Sequence, residues 1–175
     1  MKMKYYVLAF IGKAGAGKDF LLQKFLTDHP GETNEIISCT TRPPRVGELH
    51  GVNYYFLTDD EFAAKVENGQ MLEHTTFRGW YYGTSITELD SDRINVGVFN
   101  PAGIRSLLKN PEIKLRVVWV QAHDSTRLLR QMSREEKYDA SEILRRFLAD
   151  EEDFENIEFD YDIIWNDDRP CLDDV

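Results

Sequence analysis

Cysteine is scarce in this sequence: Cys39 and Cys171 are the only two, and they lie far apart. Their number and spacing suit neither a disulfide framework nor a zinc site, so we expect free thiols in a reducing compartment, with the cytoplasm as the default location. The sequence also lacks the uninterrupted apolar stretch of about 18 to 20 residues that a membrane span requires. The apolar run near Met1 is short and leads straight into a glycine loop, which disfavours a signal peptide.

Positive charge is the second deficit. Lys and Arg together number 21 against 31 Asp and Glu, which gives a formal net charge of −10. A chain this acidic repels phosphate backbones and anionic lipids, so we expect no general binding to nucleic acids or membranes. With 42% hydrophobic and 30% charged residues, the 175-residue chain has the composition of one globular domain.

What the sequence does contain is an alternation of short apolar runs and helical patterns. The run Tyr5–Ile11 ends at Gly12, as a buried parallel strand would, and a helical pattern over Asp19–His29 follows it. The alternation predicts an α/β fold of three layers, with a parallel central sheet covered by helices on both faces. The further strands are predicted at Glu35–Cys39, Asn95–Phe99, Leu115–Gln121 and Tyr161–Trp165, and the further helices at Pro101–Lys109, Ser125–Met132 and Ala140–Phe154.

The aromatic-rich region Pro43–Ser85 breaks this alternation. Its turn residues and short apolar stretches predict short antiparallel strands around one helix, Asp59–Glu67. We interpret the region as an insertion that lies over the sheet, where a second substrate could be held.

The loop after the first strand reads GKAGAGKD. Glycine lets successive backbone N–H groups turn toward an anion, and the start of the following helix adds its positive end. A lysine at the position of Lys18 reaches the β- and γ-phosphates of a nucleoside triphosphate. We therefore predict a triphosphate-binding loop composed of Gly12, Lys13, Ala14, Gly15, Ala16, Gly17, Lys18 and Asp19.

Asp19 stands where such loops normally have a serine or threonine hydroxyl that binds Mg²⁺. A carboxylate is also a ligand for Mg²⁺, so Asp19 is the predicted metal-binding residue. The alternative is a site that has lost catalysis, because without a metal the carboxylate would repel the bound phosphates.

Two later segments, SCTTRPPRVGELHGVNYYF at 38–56 and LEHTTFRGWYYGTS at 72–85, closely resemble the acceptor signature of the guanylate kinase family. The resemblance spans nearly the whole chain and includes IIWNDD at 163–168. It implies a P-loop nucleoside monophosphate kinase that transfers a phosphoryl group from ATP, with Mg²⁺, to GMP or dGMP. It also implies one domain with a core (1–37, 92–124 and 140–175), a small mixed β/α monophosphate-binding insertion (38–91) and a short lid (125–139).

The acceptor residues also make chemical sense by themselves. Arg42 and Arg45 can present paired N–H donors to one phosphate. Glu73 can accept two hydrogen bonds from the edge of guanine, whereas adenine would leave the carboxylate unpaired. The other predicted substrate-binding residues offer hydroxyl or amide groups: Ser38, Tyr54, Tyr82, Thr84 and Asn100.

The arginines that follow Asp124 are assigned to a lid that closes over the triphosphate. Arg130 and Arg134 lie one helical turn apart, and Arg146 follows on the next predicted helix. Together with Lys18 and Arg42 they are the predicted catalytic residues, although an exposed, salt-bridged helix is the alternative. By resemblance, Asn166 contacts the adenine of the donor.

The chain departs from the family pattern where an Asp-x-Asp pair is replaced by Val98 and Asn100, and the sequence ends before the family's usual final helix. We hypothesise that Asp19 offsets the carboxylate lost at Val98. Asp19 after the loop lysine and an asparagine at the position of Asn100 are also features of ribose bisphosphate kinases, which are one alternative, and a non-catalytic guanylate-kinase-like module is another. Glu73 and Ser38 favour a guanine nucleotide over a sugar phosphate. The sequence leaves open the choice between ribose and deoxyribose and the oligomeric state.

Overall fold

A computed structural model of the chain describes residues 4–44, 47–77, 79–133 and 139–167. Its central sheet has five strands, all parallel, as predicted. The strands are β1 (Tyr5–Ile11), β2 (Thr33–Glu35), β7 (Ile94–Val98), β8 (Ile113–Gln121) and β9 (Asp162–Trp165), in the spatial order β2–β7–β1–β8–β9. The central position of β1 puts the glycine loop that follows it at the middle of the sheet's carboxyl edge.

Five α-helices surround or extend from this sheet in the described part of the chain. None of them is both long and apolar enough to cross a membrane, a finding that covers the described residues alone. The helices are α1 (Lys18–Asp28), α2 (Asp59–Glu67), α3 (Pro101–Leu107), α4 (Asp124–Met132) and α5 (Ala140–Phe154).

Alternate side chains of β1 enter two different hydrophobic cores. Ala9 and Ile11 pack in one core with Ile104 of α3. Phe10 packs in the other core with Leu22 of α1. Successive residues of a strand point to opposite faces, so helices cover both faces of the sheet, which confirms the predicted three layers.

The region predicted as an insertion forms a second sheet of four strands. These are β3 (Cys39–Thr40), β4 (Tyr55–Phe56), β5 (Met71–Phe77) and β6 (Trp80–Ser85), in the order β4–β3–β6–β5. Helix α2 has the predicted bounds because Thr58 and Glu61 form a reciprocal capping box at its start. The division of the chain into core, insertion and lid by residue number stays a prediction.

The predicted strand Glu35–Cys39 is wrong as a single element. Strand β2 ends at Glu35, and Cys39 belongs to β3 in the other sheet. Between them Ile36 is buried in the core, and its N–H donates to the carbonyl of Val96 at 2.8 Å. The apolar run therefore continues while the chain crosses from one sheet to the other, and hydrophobicity by itself does not reveal the crossing.

The prediction that the insertion's strands are antiparallel is correct for β5 with β6 and for β3 with β6, but wrong for β3 with β4. Strands β3 and β4 run parallel, and the segment 41–54 connects them. A crossover connection of about a dozen residues or more allows a parallel pair. Aromatic residues between turns predict strands, but they do not show whether two strands pair parallel or antiparallel.

The other predicted elements are confirmed with small shifts at their ends. Helix α3 ends at Leu107 rather than Lys109, because Leu108 and Lys109 already form a turn. Strand β8 begins two residues earlier than predicted, at Ile113. The remaining differences are one residue at an end, as expected when frayed ends decide the boundary.

Gly12 is the first residue after β1, at the start of the glycine loop, and it lies against the backbone of β8. A Cβ atom on Gly12 would lie 2.4 Å from the carbonyl oxygen of Val120. A side chain at this position would force the loop away from the sheet.

We therefore expect Gly12→Ala to lower the free energy of unfolding by at least about 2 kcal/mol, because overpacking displaces backbone. Gly31→Ala is the matched control, since Gly31 also has a positive φ (81°) but open space around its Cβ position. The control should lose only about 1 kcal/mol from backbone conformation. Urea unfolding of both variants provides the measurement, and equal losses would contradict the close-approach explanation.

Candidate active site

A cleft of about 800 Å³ opens between the glycine loop, the second sheet and α5. Its size suits a bound nucleotide, since ligand pockets typically measure about 300–1,000 Å³. Most of the predicted site residues line it: Gly12, Ala14, Gly15, Gly17, Lys18, Asp19, Ser38, Arg42, Tyr54, Glu73, Tyr82, Asn100 and Arg146.

Several predicted site residues lie outside the lining of the cleft. Arg45 and Arg134 lie outside the described residues, so their predicted roles stay predictions. Among the described residues, those predicted to contact nucleotide but absent from the lining of the cleft are Lys13, Ala16, Thr84, Arg130 and Asn166. Their assigned contacts with substrate also stay predictions.

The carbonyl oxygens of the glycine loop are held from behind by side chains. The carbonyl of Ala14 accepts from Arg127 Nε at 3.1 Å, and that of Gly15 accepts from Arg130 Nη1 at 3.3 Å. The carbonyl of Ala16 accepts from the same Arg130 nitrogen at 3.2 Å and from Asn166 Nδ2 at 2.8 Å. These donors belong to α4 and to the residue after β9.

This arrangement sets the direction of the loop's N–H groups. In a planar trans peptide the C=O and the next residue's N–H point in opposite directions. Because the carbonyls of Ala14 and Ala16 point away from the cleft, the N–H groups of Gly15 and Gly17 point toward it. Two amides aimed into a cleft beside a helix start form an anion-binding site.

Lys18 and Asp19 begin α1 at the mouth of this loop. The Lys18 ammonium lies back over the loop and donates to the carbonyl of Lys13 at 3.3 Å. Asp19 is exposed on the cleft side, in the first turn of the helix. It is close enough to Tyr54 across the cleft that its negative charge adds to burial, the larger cause, in raising the pKa of the Tyr54 phenol.

The residues present fit a Mg²⁺ ion that shares its ligands with phosphates. In the part of the chain that the structure describes, no three His, Cys, Asp or Glu side chains cluster as a protein-only metal cage would. Mg²⁺ in phosphate sites is usually held by one or two carboxylates together with waters and phosphate oxygens. Asp19 supplies such a carboxylate beside the loop's amides.

Arg42 is a buried cation, and the second sheet holds its side chain. Its Nη2 pairs with the carboxylate of Glu48 at 2.9 Å, and its Nη1 donates to the carbonyl of Pro43 at 2.8 Å. The guanidinium also lies over the rings of Tyr54 and Phe56, at 5.5 and 5.8 Å from the ring centroids. These contacts fix the orientation of the Arg42 guanidinium at the edge of the cleft.

Glu73 is a buried carboxyl group that lines the cleft. Burial raises the pKa of Glu73, and the backbone N–H and hydroxyl of Thr84, opposite it in the β5–β6 ladder, offset part of that rise. The Thr84 hydroxyl is itself buried and forms no hydrogen bond of full geometry within the described residues. A ligand that brings two N–H groups into the cleft would add donors to this buried carboxylate and offset the cost of its burial.

Asn100 brings a second acceptor to the same place. It caps α3 by accepting from the N–H of Gly103 at 2.7 Å. A Cβ atom built on Gly103 would lie 3.3 Å from both Asn100 Oδ1 and Glu73 Oε2, so the two oxygens approach the same point. A base with donors at adjacent positions matches this pair.

Helix α5 contributes two arginines to the wall of the cleft that faces the loop. Arg145 and Arg146 both line it, and the Nε atom of each donates to the carboxylate of Glu142 at 2.9 Å. Arg146 was predicted as a catalytic residue, whereas Arg145 had no assigned role. The pair places cationic groups across from the amides of the loop.

Sequence reasoning did not single out Asp150 or Arg127. Asp150 lines the cleft and pairs with the buried Arg127 at 3.0 Å. A signal for Asp150 was present, since residues 142, 146 and 150 are spaced by four and share one helix face. No comparable signal marks Arg127, because an arginine one turn before Arg130 is typical of an exposed helix.

Comparisons with known proteins agree on one family. The family model described as "Guanylate kinase" matches residues 2–173 of this chain. The chain is 33% identical over 160 residues to the guanylate kinase of Chlamydia felis, covering 89% of this chain and 77% of the relative. It is 31% identical over 169 residues to that of Campylobacter jejuni, covering 94% of this chain and 82% of the relative.

A solved structure supports the same fold. The crystal structure of guanylate kinase from Anaplasma phagocytophilum superimposes with a TM-score of 0.66 at 20% sequence identity. The match covers 96% of this chain and 80% of the other. At this identity the likeness establishes the α/β fold with its parallel central sheet.

The raised pKa of Glu73 predicts a pH-dependent stability difference in the protein without nucleotide. Because the folded state favours the protonated carboxyl, the wild type should lose stability relative to Glu73→Gln as pH rises above 4.5, the ordinary glutamate value, and through the raised pKa. Below pH 4.5 the difference should be constant. Urea unfolding across a pH series tests this.

Glu61→Gln serves as the control of opposite sign. Its hydrogen bonds with Thr58 lower the pKa of Glu61, so that carboxylate stabilises the fold above pH 4.5 and loses this effect as pH falls through the lowered pKa. A Glu73→Gln difference that does not change with pH would contradict the burial of an ionisable carboxyl at this position.

Proposed function

The chain belongs to the guanylate kinase family and is a nucleoside monophosphate kinase, and we propose that it transfers the γ-phosphoryl group of ATP to GMP or dGMP by in-line displacement. The observation that carries the guanine assignment is Glu73, a buried carboxylate that faces the cleft opposite the glycine loop. The products are ADP and GDP, or ADP and dGDP.

Glu73 and Asn100 recognise the base in this proposal. Guanine has an N1–H and an exocyclic amine next to each other, and both donors would find the carboxylate and the Asn100 oxygen. Adenine offers an acceptor in the first of these positions and would leave the buried carboxylate unpaired. Ser38 and Thr84 are the proposed partners of the guanine carbonyl.

Arg42 holds the acceptor's phosphate, with hydroxyl groups from Tyr54 and Tyr82 beside it. Glu48 and the aromatic rings already orient the guanidinium, so little side-chain entropy is lost when the anion arrives. Arg45 is the second predicted donor to this phosphate.

The chemistry needs no general base, because the acceptor phosphate is already ionised near neutral pH. Catalysis consists of alignment of the two phosphates and stabilisation of charge on the moving group. We assign this to Lys18, the amides of Gly15 and Gly17, and Arg146, which faces the loop from α5. Arg134 remains assigned to the lid, whereas Arg130 supports the loop through its carbonyl oxygens.

Asp19 would hold Mg²⁺, and when bound this ion neutralises charge on the phosphates of ATP. Before ATP and the metal bind, the Asp19 carboxylate and the loop's amides lie side by side at the start of α1. The helix N-terminus stabilises that negative charge in the meantime.

An acceptor panel tests the function directly. Release of ADP is measured with GMP, dGMP, AMP and ribose bisphosphate as acceptors. We expect turnover with the guanine nucleotides alone, and in Glu73→Gln an increase in KM for GMP of about a hundredfold with KM for ATP within about twofold, since a carboxylate bridging two donors is lost.

Glu67→Gln, on an exposed face of α2, is the matched control and should behave as the wild type. Turnover with ribose bisphosphate instead would assign the chain to the sugar-phosphate kinases of this fold. No release of ADP with any of the acceptors would indicate a non-catalytic module. An equal loss of GMP and ATP affinity in Glu73→Gln would contradict the base-reading role.

The metal assignment has its own test. Asp19→Ala should raise the Mg²⁺ concentration for half-maximal activity by about tenfold or more, since a metal-site oxygen is removed. Asp19→Ser, which restores a hydroxyl at this position, should recover much of the loss. Asp28→Ala at the other end of α1 is the control. An Asp19→Ala enzyme with wild-type rate and Mg²⁺ dependence would refute the assignment.

A further inference from the structure

We propose that Arg127 and Asp150 are positioning residues for the reaction: the buried Arg127 and the partly buried Asp150 form an ion pair that fixes the glycine loop and ties it to the helix carrying Arg146. The inference rests on the proposed function, since it concerns the site to which that function assigns ATP. It goes beyond that function by naming two residues that act through the glycine loop.

Arg127 is buried to a degree unusual for an arginine, with 2% of its side chain exposed. Each of the three guanidinium nitrogens donates a hydrogen bond. Its Nη1 donates to Asp124 at 2.6 Å, its Nη2 to Asp150 at 3.0 Å and its Nε to the carbonyl of Ala14 at 3.1 Å. The ring of Phe147 lies 4.3 Å from the guanidinium carbon.

Asp150 binds the same loop residue, Ala14, that Arg127 binds. The same oxygen, Oδ2, that accepts from Arg127 also accepts from the backbone N–H of Ala14 at 2.7 Å. Both the N–H and the C=O of Ala14 are therefore bound by one ion pair. These two groups belong to the peptide planes on either side of Ala14, so neither plane can rotate without breaking a hydrogen bond to Arg127 or Asp150.

The next residue explains why the loop depends on this contact. A Cβ atom on Gly15 would lie 2.5 Å from the carbonyl oxygen of Arg127, so the loop packs directly on the backbone of α4. The amide of Gly15, which points into the cleft, follows the carbonyl that Arg127 binds. Loss of the Arg127 donor leaves that carbonyl with only the longer contact from Gln131 Nε2 at 3.5 Å, so the peptide turns more easily, and with it the amide that faces the phosphates.

These hydrogen bonds also join the loop to α5. Arg146 and Asp150 lie four residues apart on that helix, hence on one face, and both line the cleft. A shift of α5 that carries Arg146 toward or away from the phosphates moves Asp150 as well. The ion pair transmits that movement to the loop.

Stability alone does not account for such a pair. A buried ion pair and a well-packed apolar pair of similar size often give similar stability, whereas removal of one partner leaves a buried charge alone. The double variant Arg127→Met/Asp150→Ala removes both charges together. It therefore separates the positioning of the loop from the stability of the fold.

The experiment measures the Kd for ATP and for GMP by titration, together with Tm. Asp150→Ala alone should lower Tm by about 10 °C, because it leaves the buried Arg127 charge with only the exposed Asp124 and the more distant Glu151 as acidic partners. The double variant should recover to within about 3 °C of the wild-type Tm, yet bind ATP about tenfold more weakly, because the loop's hydrogen bonds stay lost. Its Kd for GMP should stay within about twofold of the wild type.

Two further variants complete the design. Arg127→Lys keeps a positive charge beside Asp150 but loses the Nε donor to Ala14, and it should fall between wild type and the double variant in ATP affinity. If the double variant does not fold, Arg127→Lys decides the question. Arg116→Met/Asp162→Ala removes an exposed Arg–Asp pair of similar geometry, 2.8 Å apart, and should bind both nucleotides as the wild type does.

The outcomes distinguish this inference from the proposed function. A folded double variant with wild-type affinity for ATP would overturn the positioning role, as would parallel losses of ATP and GMP affinity. A wild-type chain that binds ATP but does not phosphorylate GMP would refute the proposed function and leave this inference standing if the variants behave as expected. A wild-type chain that binds no ATP would overturn both.

Discussion

A loop can bind phosphates through its backbone N–H groups only while its carbonyl oxygens point away from the anion, because a carbonyl dipole directed at an anion repels it. In this protein Arg127, Arg130 and Asn166 occupy three consecutive loop carbonyls from behind. The glycines supply the conformational freedom, but these outside donors set the direction. The site, the sheet edge and the two neighbouring helices all depend on that set of hydrogen bonds.

The same principle explains how a chain with a net charge of −10 can hold two polyanionic substrates. Its cations at the cleft are not dispersed over the surface: Arg42 is buried against Glu48, and Arg146 is paired with Glu142. Each acidic partner orients a guanidinium and limits its conformations before substrate arrives. Some of the acidic residues therefore contribute to anion binding, because they hold the arginines of the cleft in place.

The fold and the lining of the cleft could be predicted from the sequence where local chemistry is specific. The glycine loop, Glu73 and the capping box of α2 are examples, because each depends on a residue type that few other situations require. Contacts between distant elements could not be predicted in this way. Arg127 is indistinguishable in sequence from an exposed helical arginine, and its burial depends on where α5 places Asp150. Likewise Arg130 was predicted to reach the substrate, and the loop carbonyls that it binds become neighbours only once the chain has folded.

The run 35–39 shows a different limit. Its hydrophobicity reports burial correctly, but burial is continuous across the passage from one sheet to the other. Only the hydrogen-bond partners distinguish the two sheets, and these are set by strands far away in the sequence. Prediction from pattern is thus strongest for what a segment buries and weakest for what it pairs with.

If Asn100 reads the base as proposed, one of its oxygen atoms serves both the architecture and the selection of substrate. The Oδ1 atom that caps the N-terminus of α3 is the one that approaches the Glu73 carboxylate. A mutation of Asn100 that changes the preference for the acceptor nucleotide therefore also perturbs the start of a helix packed on the sheet. Any evolutionary or engineered change of nucleotide preference at this position must therefore preserve a helix cap, which confines the tolerated replacements to a few short polar residues.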